Sequence, residues 1–187
     1  MLSWLRREHQ SLYGYPDPDW SSVTLESPGE HVEVWDLKTK PEDPVTSWML
    51  AIGEAQEMVQ TTAYTDGSKA PGGLVGAGVY TQERSWYTTL SEDASVYDGE
   101  VEAILQAIGS AGERSMLILT DCQSVVKALE KAAGEGIPIG GSVGRILGAA
   151  KGRIIKIAWV KAHIGIPGNE EADATARKGA GMDEDTP

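Results

Sequence analysis

The 187-residue chain predicts a mixed α/β fold, a five-stranded sheet of antiparallel and parallel strands flanked by helices. Three observations lead there. Strand-like segments follow one another closely between Thr62 and Leu90. The apolar run Ser115–Thr120 (SMLILT) suits a strand buried on both faces. Helical periodicity then alternates with further strand signals to residue 178, and strands separated by helices need crossover connections and pair in parallel.

Each element has its own local signal. Thr62–Thr65 (TAYT) reads as a strand ending at Asp66-Gly67-Ser68, with the glycine-rich link Pro71-Gly72-Gly73 after it. Gly76–Tyr80 and Trp86–Leu90 are two more strands, joined by the polar turn Gln82-Glu83-Arg84. Tyr97–Gly109 is a helix with Val101, Ile104, Leu105 and Ile108 as its apolar stripe. Ser124–Ala133 is helical and Gly134 is positioned to stop it. Ser142–Ala150 is a further helix interrupted by Gly144 and Gly148, and Ile154–Val160 (IIKIAWV) is a strand. Asn169–Lys178 is a helix with acids in its first turn and Arg177 and Lys178 in its last, which suits the helix dipole. The order is βββαβα(α)βα, and no internal repeat is visible.

Three regions emerge: an acidic, proline-containing extension over 1–60, a domain over 61–180, and an acidic tail over 181–187. Between residues 11 and 47 the extension carries Pro16, Pro18, Pro28, Pro41 and Pro44, and most of it reads as irregular. His31–Leu37 alternates well enough for a short strand. Ser47–Gln60 looks helical, with Ser47 as N-cap and Trp48, Ile52, Ala55 and Val59 along one stripe.

Composition narrows the function classes. Hydrophobic residues make up 41% and charged residues 24%, ordinary for a globular domain. The single cysteine, Cys122, excludes an internal disulfide. No apolar run is long enough to span a membrane, and Met1–Gln10 lacks the apolar stretch of a signal peptide, so the expectation is an intracellular protein, nuclear or cytoplasmic. The net charge of −12 is unfavourable for binding phosphates. It is uneven, however: −7 over residues 1–60, −2 over 61–180 and −3 in the tail. Arg145, Lys151, Arg153, Lys156 and Lys161 form a stretch with no acid between them, either a solvated face or part of a phosphate-contacting surface.

Four acids are candidates for chemistry. Asp66 ends the first strand and Asp121 ends the apolar run; if the two strands lie parallel and adjacent, both carboxylates emerge at the carboxyl edge, where open α/β sheets bind ligands. Taken alone, Asp66-Gly67 is a turn signal and Asp121 a helix cap. Glu100 has Val96, Ala103, Ile104 and Ala107 as helical neighbours; Glu102 has Asp98, Gly99, Leu105, Gln106 and Gly109. Glu100 therefore lies on the drier side, and Glu102 reads as a surface residue. Asp173 also has a plain structural reading, an i,i+4 pair with Arg177. The conjunction carries the argument: converging carboxylates repel in a poorly solvated cleft, and hard divalent cations such as Mg²⁺ or Mn²⁺ relieve that repulsion. Two such ions can activate a water and stabilise a leaving oxygen in phosphodiester cleavage. A zinc site is not expected, because there is no thiolate or multi-histidine cluster.

These residues lie within YTDGS (64–68), PGGLVGAGVY (71–80), SVYDGEVEAI (95–104), LTDCQSVVKAL (119–129) and WVKAHIGIPGNEEADATA (159–176). In that order they resemble the ribonuclease H domain, in the form found in retrotransposon reverse transcriptases of the LINE type, over about residues 61–180. The resemblance implies a ribonuclease H-like fold and a metal-binding catalytic quartet at Asp66, Glu100, Asp121 and Asp173. It implies that His163, on a mobile loop, assists proton transfer or product departure. Gly67, Ser68, Gln123 and Asn169 match positions along the substrate backbone, although an N-cap explains Asn169 equally well. The implied activity is endonucleolytic cleavage of the RNA strand of RNA–DNA hybrids with two Mg²⁺ ions, Mn²⁺ being a substitute, leaving a 3′ hydroxyl and a 5′ phosphate. A neighbouring reverse transcriptase domain is an implied partner. The chain departs from cellular members in Val96 and Tyr97 where asparagines are common, in Cys122 where serine is usual, and in a segment between Asp121 and His163 too short for an added basic protrusion. These departures bear on substrate grip more than on chemistry. Two other functions compete: a catalytically silent domesticated retroelement domain that binds nucleic acid or a protein partner, and a strand-transfer or junction-cutting enzyme, which the HIGIPGNEEAD signature disfavours.

Overall fold

The computed structural model describes residues 32–135 and 141–182. Residues 1–31, which include the start of the chain and much of its proline-containing irregular segment, lie outside those, as do tail residues 183–187. The elements in order are β1 (Val32–Trp35), α1 (Val45–Gln56), β2 (Thr61–Lys69), β3 (Val75–Tyr80), β4 (Ser85–Leu90), α2 (Val96–Ala111), β5 (Met116–Thr120), α3 (Gln123–Glu135), α4 (Gly141–Ala149), β6 (Ile155–Trp159) and α5 (Pro167–Gly179).

The sheet has six strands rather than five, in the order β1-β6-β5-β2-β3-β4. The sixth is the short strand within His31–Leu37; Val32–Trp35 adds in parallel to the outer edge of β6, with Val32 opposite Ile155 and Trp35 opposite Ala158. β2, β5 and β6 are parallel, and β2, β3 and β4 antiparallel.

Alternation along the strands sends two apolar sets to opposite faces. Ala63, Ala77, Val79, Ile118 and Ile157 face α2, α3 and α4, meeting Val101, Ile104, Ile108, Val125, Leu129 and Ile146. Tyr64, Leu117, Leu119 and Ala158 face the other way, beneath Trp48, Ile52 and Ala55 of α1 and Ala172 of α5. Residues from the segment read as an extension thus share one sheet and one core with residues 61–180.

Several boundaries differ from those expected, for physical reasons. β2 does not stop at Asp66. Its parallel partner β5 ends at Thr120, but its other edge stays paired with β3 as far as Lys69 opposite Val75, so Asp66-Gly67-Ser68 is strand, not turn. α1 starts at Val45, with Pro44 at the N-cap, no side-chain cap and no capping role for Ser47; it ends at Gln56, not Gln60. α2 begins at Val96, because Ser95 and Asp98 form a capping box in which the Asp98 N–H donates to Ser95 Oγ and the Ser95 N–H to Asp98 Oδ2. Gly134 does not stop α3, which runs to Glu135. α5 starts two residues early, at Pro167, whose missing N–H is harmless there.

Glycines let two helices lie directly on the β2–β3 ribbon. A Cβ at Gly67 would stand 2.5 Å from the Glu100 nitrogen of α2. On the opposite face, one at Gly78 would stand 2.5 Å from the Ala172 carbonyl oxygen of α5, and one at Gly76 would overlap the Ala176 carbonyl oxygen. Backbone cannot yield as a side-chain tip does. Gly78→Ala is therefore expected to destabilise the protein by at least ~1–3 kcal/mol. Gly109→Ala, in α2 with nothing within 4 Å of the added carbon, is expected to stabilise it by ~0.5–1 kcal/mol. Denaturant unfolding of the two variants beside wild type checks both signs; equal stability of Gly78→Ala and wild type would contradict the close approach.

Candidate metal centre

The end of the β2–β5 ladder builds the site. Thr65 lies opposite Thr120, so Asp66 and Asp121 are the next residue of each parallel strand path. Glu100 comes in from the second turn of α2, two residues after Asp98 of the capping box, and Lys69 secures the approach by donating from Nζ to the carbonyls of Glu92 and Ala94. Carboxylate oxygens of Asp66, Glu100 and Asp121 all lie within 4.8 Å of one another. Asp66 and Glu100 are buried and Asp121 is half-buried.

Burial and mutual repulsion govern the electrostatics. Desolvation, then the charges of Asp121 and Asp173, push the Asp66 carboxyl up to about 8. Desolvation, then Asp66 and Asp121, push Glu100 to about 9. Burial raises Asp121 as well, opposed by a hydrogen bond from Asn169 and by the nearby His163. The influences that favour the charged forms are few: the Gly67 backbone for Asp66 and Glu100, and Asn169, His163 and its own backbone for Asp121. Glu100 Oε2 is buried without a hydrogen-bond partner. Oxygen donors at this separation, one of them unsatisfied and none neutralised by a close lysine or arginine contact, fit a hard divalent cation.

The other expected residues distribute as follows. Asp173, half-buried on α5, acts on Asp66 and Asp121 through its charge but stands outside the three-residue cluster. His163 is exposed on the loop before α5, with left-handed backbone at φ 53°. Asn169 is not an N-cap. It is the third residue of α5, 1% exposed, and its Nδ2 donates to Asp121 Oδ2 at 3.0 Å while its Oδ1 has no partner. Ser68, two residues after Asp66, points to the same sheet face. Gln123 is exposed at the start of α3, its Oε1 accepting from Lys127 Nζ. Glu102 stays outside the cluster, paired with Arg145 at 3.1 Å.

Three cations of the basic stretch from Arg145 to Lys161 have partners within the protein. Arg145 holds Glu102, Lys156 holds Glu33 and covers the Trp35 ring, and Lys161 donates to the Pro41 carbonyl. Strand alternation and helix packing separate residues that looked contiguous.

One contact at the site went unread in the sequence. Trp159 Nε1 donates to the backbone carbonyl of Asp121 at 3.0 Å. Its place in WVKAHIG was visible; its partner 38 residues away was not.

A mixed sheet with helices on both faces, and acids gathered at the carboxyl end of its central parallel strands, defines an α/β protein with a carboxylate cluster that fits a cation. The chain belongs to the ribonuclease H family: the family model described as RNase H matches residues 58–181. It is similar to the ribonuclease H of Tropheryma whipplei strain Twist, 30% identical over 133 residues that cover 63% of this chain and 83% of that protein. The ribonuclease H of strain TW08/27 matches to the same extent. The protein is thus a hydrolase of the nuclease class, and β1 and α1 precede the matched segment.

Raised carboxyl pKa values set the pH dependence of stability. Free carboxyls ionise near pH 4, whereas these hold their protons to about pH 8–9 when folded. Across that window the folded state binds more protons than the unfolded chain, so metal-free stability falls as pH rises. The expected result is a Tm of metal-free protein that declines from about pH 5 to 8, recovers on adding a divalent cation, and declines less in Asp66→Asn. A Tm rising over the same range in metal-free protein would refute the repulsive centre.

Proposed function

We propose that the protein is an endonuclease that hydrolyses the RNA strand of RNA–DNA hybrids, with Mg²⁺ held by Asp66, Glu100, Asp121 and Asp173. The observation that carries it is the meeting of three carboxylates within 4.8 Å, two of them buried. A pair of divalent ions, Mg²⁺ or Mn²⁺ in its place, would supply water activation and charge stabilisation at the leaving oxygen. The protein's part is to hold the acids in place. The Gly67 backbone supports the Asp66 and Glu100 carboxylates, and Asn169 steers Asp121. His163, exposed on the loop before α5 and acting on Asp121 through its charge, is read as assisting proton transfer or product departure. Gly67, Ser68, Gln123 and Asn169 are read as lining the path of the substrate backbone. Selection for RNA rests on minor-groove contacts to 2′-hydroxyls, and the products carry a 3′ hydroxyl and a 5′ phosphate.

The resemblance to LINE-type domains supports a second part of the reading. With Arg145 and Lys156 tied to Glu102 and Glu33, this chain has a weak grip of its own on phosphates. A neighbouring reverse transcriptase domain would supply the missing cations, and the protein would act inside the cell, where hybrids form. Among the described residues no helix is long and apolar enough to cross a membrane.

Cleavage assays on hybrid, double-stranded RNA and double-stranded DNA, with millimolar Mg²⁺, test the proposal. The hybrid is expected to be cut and both duplexes spared. Asp66→Asn is expected to lower the rate on the order of a thousandfold, since a metal site contributes several kcal/mol and each ~1.4 kcal/mol is tenfold. Cutting of all three substrates alike, or full activity in Asp66→Asn, defeats it. Hybrid binding without turnover would instead identify a silent binding domain.

A further inference from the structure

We propose that Trp159 is a positioning residue for Asp121, and that α1, through Trp48, is the support that keeps Trp159 in place. This rests on reading Asp121 as a metal ligand.

Asp121 is the first residue beyond β5. The last ladder contact is the Val160 N–H donating to the Thr120 carbonyl at 2.9 Å, so Asp121 has left the sheet. Its carboxylate faces the acids Asp66, Glu100 and Asp173, which repel it whenever they are ionised. A residue at a strand end under such repulsion holds its position only through local contacts. Three are present. Asn169 holds the side chain, and the backbone carbonyl accepts from both the Gln123 N–H and Trp159 Nε1, each at 3.0 Å. The Gln123 bond is a local turn that moves with Asp121. The indole bond ties it to β6, a different part of the sheet.

The indole direction depends on what lies against the Trp159 ring. Trp48 of α1 meets it edge to face, with centroids 5.4 Å apart and planes at 79°. Trp48 is 1% exposed, yet its own Nε1 has no partner, so its value at this position is its ring. The segment outside the family match thereby reaches the metal centre in two steps, Trp48 to Trp159 to Asp121.

Four substitutions at the two tryptophans test this. Trp159→Phe keeps a ring and removes the N–H; benzothienylalanine at the same position keeps the full shape and replaces the N–H by sulfur. Trp48→Ala removes the support and Trp48→Phe restores a ring. The measurements are Mn²⁺ affinity by titration calorimetry, kcat and KM on hybrid, and Tm. Both changes at residue 159 are expected to weaken Mn²⁺ binding about tenfold and to lower kcat similarly, leaving KM for hybrid unchanged. Because the isostere preserves the core, its loss of affinity cannot be ascribed to misfolding. Trp48→Ala is expected to show the same loss of affinity with a lower Tm, and Trp48→Phe to recover the affinity. Wild-type Mn²⁺ affinity and kcat in the isostere would overturn the role of Trp159, and a Trp48→Ala protein that loses Tm alone would overturn the role of α1. Asp121→Asn separates the layers: if it binds Mn²⁺ like wild type, the metal reading fails and not the hydrogen bond.

Discussion

Close backbone contact at the β2–β3 ribbon is the constraint from which the rest follows. Helices normally stand off a sheet by the length of the side chains between them. Here α2 rests on Gly67 from one face and α5 on Gly76 and Gly78 from the other. Glu100 and Asp173, one from each helix, can approach Asp66 because no Cβ intervenes. Side chains at these positions would lift the helices by ångströms, and a metal site tolerates far less displacement than that. Glycine loses more chain entropy on folding than any other residue. Its use three times in one ribbon spends stability on the closeness of the acids.

The centre that this closeness creates opposes folding. Asp66, Glu100 and Asp121 lose hydration and gain like-charged neighbours, and both effects favour the protonated forms. The surrounding structure must hold them by means that do not neutralise them: the Gly67 backbone, the Asn169 amide and the Trp159 indole, each an uncharged donor. Lysine or arginine in their place would relieve the repulsion and also compete with a cation for the oxygens. Neutral donors orient a carboxylate and leave its charge available. Unsatisfied Glu100 Oε2 and Asn169 Oδ1 fit the same logic, since both are acceptors kept in a dry site without a protein donor.

Much of this was legible in the sequence because it rests on periodicity. The apolar run MLILT, the stripe of Val101, Ile104 and Ile108, and the choice of Glu100 over Glu102 all follow from which face of an element is dry. Elements whose ends depend on partners were harder to read. β2 extends past Asp66 because β3 continues beside it, and Asp-Gly-Ser looks like a turn only when that neighbour is unknown. The partners of the basic stretch were hidden for the same reason: nearness along the chain says nothing of Glu102 and Glu33, which come from 43 and 123 residues away. Asn169 looked like a cap because Pro167 and Gly168 resemble a loop, whereas Pro167 opens the helix and leaves the amide free to reach Asp121.

The relation of residues 32–57 to the centre follows from the other face of the sheet. Leu117, Leu119, Ala158 and Val160 are fully buried, and α5 alone does not supply their cover; Trp48 and Ile52 of α1 complete the same cluster. A sheet with both faces apolar must be covered on both, and leaving such a patch in water forfeits roughly 25 cal/mol for each Å². Trp159 sits at the rim of that cluster, with one part of its indole in the core and its N–H at the metal centre. Cover for the sheet and support for Asp121 are therefore the same contact, so a segment recruited to keep Leu117 and Leu119 dry also bears on the acid that begins where their strand ends.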